Sequence, residues 1–302
     1  MVNKKSPSTA KAKSVLKKVS QRKTTAKAVS QKTKPIPKRS SKKTSSKSFV
    51  LTQAVRNLIA LLITVVVCIL FYLFYVRPYA YRWMPCYGLK SYDVCMPYGY
   101  TVHGIDVSRY QGKINWDTLY THQAAKAPLN FVFMKGTEGG DFKDVTFDDN
   151  LRNSRKYGFI SGVYHFFSPR TSAKKQAKFF INTVRLKSGD LPPVLDVEVI
   201  GKSSKEAFKD SVALWLSIVE RHYKQKPIIY TSYKFKNKYL NDSIFNTYPF
   251  WIAHYYVSAV KYTGSWQFWQ HSDVGLVPGI DKEVDLNVFN GSLEELKAMR
   301  LP

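Results

Sequence analysis

Between residues 102 and 289 the chain alternates short β-rich runs with helical ones, and no other feature restricts the fold as strongly. The β-rich runs are Val102–Ser108, Asn130–Gly136, Ile160–Phe167, Pro193–Val199, Pro227–Ser232, Phe250–Tyr255, Trp266–His271 and Val284–Phe289. Helical candidates separate the early ones at Trp116–Lys126, Phe147–Tyr157, Ser172–Val184 and Ser203–Tyr223. In the last of these, Ala207, Val212, Leu214, Trp215, Ile218 and Val219 form an apolar stripe at helical spacing, which marks a helix laid on a core. Strands alternating with helices pair in parallel, and about eight of them in roughly 190 residues close into a barrel. The later connections are too short for full helices. The expectation is an α/β fold, an incomplete (β/α)8-type, TIM-like barrel over residues 101–302 whose last strands are joined mainly by loops.

What precedes the barrel is not globular. The chain has 302 residues and a formal net charge of +26, yet residues 1–56 hold 17 of its 47 Lys and Arg and none of its 21 Asp and Glu. This tail is Lys, Ser, Thr, Ala and Gln with no aromatic before Phe49, so it lacks the apolar surface needed to offset ordering entropy and is expected to be disordered. From Leu58 to Val76 every residue is uncharged and nearly all are apolar. A helix of about 20 such residues matches the hydrocarbon thickness of a bilayer, so residues 57–76 are expected to span a membrane. Tyr72, Tyr75, Tyr79, Tyr81 and Trp83 crowd its end in the manner of an interfacial aromatic belt. A cleaved signal peptide fits less well, because the run exceeds an h-region and only Tyr79-Ala80-Tyr81 follows it. The positive-inside bias leaves the tail cytoplasmic and residues 77–302 in the periplasm or outside the cell. There the tail would set topology and touch anionic lipid. Nucleic acid is a poor partner for it, since no aromatics or folded motif accompany the lysines.

Cys68 lies within the apolar run, while Cys86 and Cys95 stand just beyond it. In an oxidising compartment the latter two either close a short loop or remain free thiols. Residues 77–100, rich in Tyr, Pro and Gly, are expected to form a stalk.

Chemistry is concentrated at residues 191–200, Leu-Pro-Pro-Val-Leu-Asp-Val-Glu-Val-Ile. Two prolines before and Gly201 after bound a short strand, and side chains two apart on a strand share a face. Asp196 and Glu198 are thereby aimed together. Two neighbouring carboxylates among apolar residues are either solvated acids at a strand end or an acid/base pair in which one carboxyl stays protonated. Barrels of this class carry function at the C-terminal strand ends. There the sequence also places Asp106 after the first run, Asp285 where the last run opens, and Tyr164, His165, Phe166, Tyr230, Trp251, His254, Tyr255, Trp266, Trp269 and Gln270 around them. Carboxylates ringed by aromatic faces and hydroxyl-bonding groups describe a carbohydrate cleft. His103 and His165 read as hydrogen bonders at the site edge or as core residues. No metal-ligand spacing occurs, and no metal or cofactor is required.

Several stretches together resemble the glycoside hydrolase family 25 lysozymes, the N-acetylmuramidases. They are Gly104-Ile-Asp-Val-Ser-Arg-Tyr-Gln-Gly112, Phe131-Val-Phe-Met-Lys-Gly-Thr-Glu-Gly139, Gly162-Val-Tyr-His-Phe-Phe167, Leu195-Asp-Val-Glu198 and Val277-Pro-Gly-Ile-Asp-Lys-Glu-Val-Asp-Leu-Asn-Val-Phe289. The likeness covers about residues 102–292 and leaves out tail, span and stalk. It implies a flattened barrel with few helices, and an enzyme that cuts the β-1,4 bond between N-acetylmuramic acid and N-acetylglucosamine in peptidoglycan. Glu198 would be the general acid on the glycosidic oxygen. Asp196 would orient or charge-stabilise the 2-acetamido group, while Asp106 and Asp285 would shape the charge of the cleft. Tyr164, Tyr230, Trp251 and Gln270 are the expected sugar contacts. Arg109, Ser168-Pro169-Arg170, Lys282 and Glu283 depart from what is usual in the family, which bears on subsite preference. A wall-binding or scaffolding protein with the same barrel and no turnover is the alternative.

Overall fold

The computed structural model describes residues 52–77, 86–262 and 264–302. The basic tail up to residue 51, and Tyr79, Tyr81 and Trp83 of the expected aromatic belt, lie outside the described residues. Helix α1 spans Gln53–Phe71 and runs into a π turn at Tyr72–Val76. The continuous helix of 24 residues has the length and composition of a membrane span. It starts four residues before the expected boundary at 57, because Gln53-Ala54-Val55-Arg56 contains no helix breaker and three good helix formers.

In the remaining chain the elements follow as β1 (Lys90–Ser91), β2 (Val94–Cys95), β3 (His103–Val107), α2 (Trp116–Thr121), β4 (Leu129–Glu138), β5 (Phe142–Lys143), α3 (Phe147–Lys156), β6 (Ile160–Phe166), α4 (Ala173–Thr183), β7 (Val194–Asp196), α5 (Lys205–Tyr223), β8 (Ile228–Ser232), α6 (Tyr233–Tyr239), β9 (Phe250–Ala253), β10 (Phe268–Gly275), β11 (Val284–Phe289) and α7 (Leu293–Ala298). Strands β3, β4, β6, β7, β8, β9, β10 and β11 form an eight-stranded barrel, closed by the β3–β4 and β3–β11 pairings. The fold is therefore the mixed α/β, TIM-like barrel. The connections from β9 to β10 and from β10 to β11 carry no helix, as the short spacings imply, whereas the seven-residue α6 was not foreseen.

A fully parallel sheet was expected, and β11 corrects that. It runs antiparallel to both β10 and β3. With only residues 276–283 joining β10 to β11, there is no room for a crossover helix, so the chain returns in the opposite direction. The reversal brings the start of β11 to the end of the barrel where the parallel strands finish, and Asp285 pairs in register with Asp106.

Period-two alternation divides the core. Phe131, Phe133, Val194, Ile228, Trp251 and Phe268 fill the lumen, while Val132, Met134, Val163, Leu195, Ile229 and Ile252 face the helices, where Phe180, Val212 and Trp215 meet them. Two glycines make the lumen possible: a Cβ on Gly104 would sit 2.4 Å from the Phe131 ring, and one on Gly162 would sit 2.3 Å from Phe133.

The expected stalk is folded from Cys86 onward. Strands β1 and β2 form a hairpin clasped by a Cys86–Cys95 disulfide, with Cα atoms 5.5 Å apart. Tyr92 at its tip is buried, its hydroxyl donating to the Ala127 carbonyl at 2.9 Å and accepting from the Ala124 N–H at 3.2 Å. Leu276 N–H donates to the Tyr92 carbonyl. These contacts make the hairpin part of the domain.

Candidate active site

Inward alternation at the C-terminal strand ends brings Asp106, Tyr164, Asp196, Glu198, Tyr230, Trp251, Gln270 and Asp285 onto one hollow of about 110 Å³. It adjoins a groove of about 370 Å³ that shares Asp106, Tyr164, Asp196, Glu198 and Asp285 and continues over Arg109, Lys135 and Phe166. The four acids and the four expected sugar contacts thus meet at one place, drawn from seven strands and one strand end.

Strand β7 is only three residues long and stops at Asp196, shorter than the expected run from Pro193 to Val199. Proline at 192 and 193 supplies no N–H, and Gly201 turns the chain at φ 67°. Glu198 nevertheless keeps the alternation, because the neighbouring Val197 donates its N–H to the Tyr230 carbonyl at 2.9 Å and accepts from the Thr231 hydroxyl at 2.7 Å. Asp196 is 6% exposed and one of its oxygens, Oδ1, has no hydrogen-bond partner. Glu198 stands at the mouth with its side chain open to solvent on one side. Burial pushes both carboxyls above the ordinary range, Asp196 furthest, with Glu198 adding repulsion. Their mutual hydrogen bond raises Asp196 and lowers Glu198, so within the pair a proton favours Asp196. Burial raises Glu198 as expected, though less than it raises the deeper Asp196.

Asp106 and Asp285 form a second pair. Asp106 Oδ2 accepts from Gln270 Nε2 at 2.7 Å and from Asn287 Nδ2 at 2.8 Å. Both amides are oriented from behind: Gln270 Oε1 accepts from the Tyr230 hydroxyl at 2.7 Å and from Tyr255, and Asn287 Oδ1 accepts from Trp251 Nε1 at 2.8 Å. Burial raises both acids, and the hydrogen bond between them raises Asp285 while lowering Asp106. Asp285 therefore carries the proton and donates it to an Asp106 already organised as an acceptor.

Two participants went unnoticed in the sequence. Lys135 follows Phe131 and Phe133 inward at period two, is 8% exposed, and bridges Glu138 at 2.6 Å. Residues three apart normally face opposite sides of a strand; a register shift between Lys135 and Thr137 puts these two on one face. Its ammonium lies over the Phe166 ring at 4.8 Å and favours ionisation of both Asp196 and Glu198. Asn287 lies two residues beyond Asp285, and that spacing was the available signal. The period of Phe131, Phe133 and Lys135 was the signal for Lys135.

Other expected residues lie elsewhere. Trp269 alternates away from Gln270 and donates Nε1–H to the His254 carbonyl, with Tyr100 packed against Trp266 and Trp269. His254 stacks on Tyr233. His165 is core, held between Thr137 and Gln176 and stacked on Trp215, and His103 is buried with Nδ1 unpartnered. Trp251 is 1% exposed and stacked on Phe133 at 4.4 Å, which makes it the floor of the hollow and not a stacking face. A separate hollow of about 330 Å³ lies between the disulfide hairpin and β10; its Asp93 is paired with Lys90 and none of the four central carboxyls reaches it. Among the described residues no group of three or more His, Cys, Asp or Glu is arranged to hold a metal.

Paired carboxyls at the C-terminal strand ends of a TIM-like barrel are an arrangement that glycoside hydrolysis uses. Residues 105–280 match the family described as Glycosyl hydrolases family 25, and the chain belongs to that family. It is 44% identical over 225 residues to the uncharacterized protein YegX of Escherichia coli (strain K12), covering 74% of this chain and 80% of that one. It is 35% identical over 213 residues to Lysozyme M1 of Streptomyces globisporus, covering 66% and 71%. Among solved structures, a bacterial lysozyme from Streptomyces coelicolor superimposes with a TM-score of 0.60 at 33% identity, covering 67% of this chain and 98% of that one. A family 25 glycosyl hydrolase from Bacillus anthracis gives a TM-score of 0.60 at 32% identity, covering 66% and 93%.

Proposed function

We propose that this protein is a membrane-anchored muramidase that cleaves the β-1,4 bond between N-acetylmuramic acid and N-acetylglucosamine in peptidoglycan. The observation that carries the reading is the convergence of two carboxyl pairs, Asp196 with Glu198 and Asp106 with Asp285, in one hollow where burial raises all four. A glycan strand lying along the groove expels water from above Glu198. That desolvation raises Glu198 towards Asp196, and the shared proton passes across their hydrogen bond. Glu198 then protonates the departing glycosidic oxygen as the C–O bond breaks, and Asp196, now ionised, faces the charge developing at the anomeric carbon and the 2-acetamido group. Water completes the hydrolysis and returns a proton to the pair. Asp106, with Asp285 donating to it, fixes Gln270 and Asn287 as the polar wall on the other side, Tyr230 holds Gln270 in place, and Tyr164 presents its hydroxyl to the sugar.

The helix of residues 53–76 anchors the enzyme, and the basic tail stays cytoplasmic against anionic lipid while the barrel faces the wall. Protease added to intact spheroplasts should therefore remove the barrel and spare an N-terminal tag; the reverse pattern sinks this orientation. For the chemistry, the full-length chain in detergent should release soluble muropeptides with new reducing-end muramic acid. Glu198→Gln should lower kcat by about a thousandfold while strand binding persists. Binding without release by the unmodified chain would leave a wall-binding protein in place of the enzyme.

A further inference from the structure

The groove beyond Glu198 holds a cation that hydrolysis of a neutral sugar bond does not use. Arg109 follows Asp106 by three residues, so at most about 10 Å of backbone separates them. Its position is built. Ser108 and Gln111 form a reciprocal cap on the short turn Arg109–Gln111, and Gln111 Nε2 donates to the Glu283 carbonyl at 3.2 Å, tying the turn to the loop before β11. The Arg109 N–H donates at 3.0 Å to Oδ2 of Asp144, which is 1% exposed and also accepts from the N–H and hydroxyl of Thr146. The guanidinium rests over two rings, 4.6 Å from the centroid of Phe142 and 5.2 Å from that of Tyr110. Aromatic faces immobilise a guanidinium without consuming its charge or most of its donors.

The charge balance of the groove completes the argument. Its other cation, Lys135, is bridged to Glu138, whereas none of the ion pairs among the described residues includes Arg109. Arg109 lines the same groove as Asp106, Asp196, Glu198 and Asp285. Its guanidinium feels Asp144 and Glu138 and reaches the Tyr110 hydroxyl at 3.5 Å, but is locked in no direct ion pair among the described residues. A guanidinium in the groove beside the acids suits a ligand that is neutral at the bond to be cut and carries an anion farther along. Resting on the muramidase reading, we propose that Arg109 is a specificity-determining residue that receives a carboxylate of the peptide borne on the lactyl group of muramic acid. It selects peptide-substituted strands over bare glycan.

The test uses the full-length chain in detergent on peptidoglycan strands carrying their peptides and on the same strands stripped by an amidase, which removes the peptide's own carboxylates and leaves a shorter lactyl carboxylate on each muramic acid. Arg109→Ala should lower the ratio of kcat/KM on the two substrates by about fivefold to tenfold, mainly through KM on the substituted strands. Arg109→Lys, which keeps the charge without the planar fork, should lose less. A ratio unchanged in Arg109→Ala overturns the proposal. If neither substrate is cut, the muramidase reading fails separately, and co-sedimentation with the two kinds of strand decides instead: Arg109→Ala binding them in the same proportion as the unmodified chain overturns the assignment.

Discussion

Lys135 lines the groove with the central carboxyls and its charge, bridged to Glu138, still favours their ionisation, which has a kinetic consequence in the muramidase reading. A cation near two acids lowers the proton affinity of both, opposing the burial that raises it. Methionine at 135 would keep the stem volume and its contact with Phe166 while removing the charge. The pair would then hold its proton to higher pH, so the whole kcat profile of Lys135→Met should move towards alkaline pH, with Glu138 losing its partner at the rim. An activity loss with no displacement of the profile would mean that Lys135 only supports Glu138. The same residue shows the limit of reading at this scale. Asp196 and Glu198 were legible because a strand makes i and i+2 neighbours, and Tyr164 and Tyr230 because they lie in the C-terminal halves of β-rich runs. Which carboxyl keeps the proton was not legible, since depth in the barrel and the mutual hydrogen bond decide it.

Among elements, the barrel strands were legible because each is a dense run of β-branched and aromatic residues between breakers. The direction of β11 was not, because strand polarity depends on the connection and not on the strand's own residues. The hairpin β1–β2 was missed for a different reason: strands of two residues carry no periodicity, and Tyr92 and Asp93 turn the chain at φ 52° and 58° without a glycine. What secures it is the Cys86–Cys95 link together with the buried Tyr92. Closing a loop with a sequence separation of 9 restricts the unfolded chain by about 2–3 kcal/mol in the chain-entropy picture. Replacing both cysteines with serine should therefore lower the melting temperature clearly. Turnover by the folded protein should stay within about twofold, because neither hollow of the candidate site is lined by hairpin residues. Loss of turnover in proportion to unfolded fraction is compatible with this; loss in fully folded protein is not.

For the molecule as a whole, the acids that line the cleft also set how its stability varies with pH. Asp106, Asp196 and Asp285 are raised above their unfolded values by burial, so the folded state holds protons that the unfolded state releases. Their stabilisation is complete below the unfolded carboxylate value of about 4 and is lost as pH rises through the folded values. Buried histidines act with the opposite sign. His103 is lowered to about 4, and His165 and His271 to about 3, so their contribution is complete above the unfolded value of 6.5 and is lost as pH falls through that interval. The two trends cross in mildly acidic solution, where the melting temperature should peak. Asp285→Asn isolates one arm of this balance. The amide can still donate to Asp106 but has no proton to lose, so the variant should melt with the unmodified protein near about pH 4 and progressively above it as the pH approaches about 8. A melting-temperature difference that stays constant across that interval would show that Asp285 is not held protonated. A gain that grows with pH, accompanied by loss of muropeptide release, would mean that the fold gives up stability at neutral pH to keep four carboxyls facing one hollow.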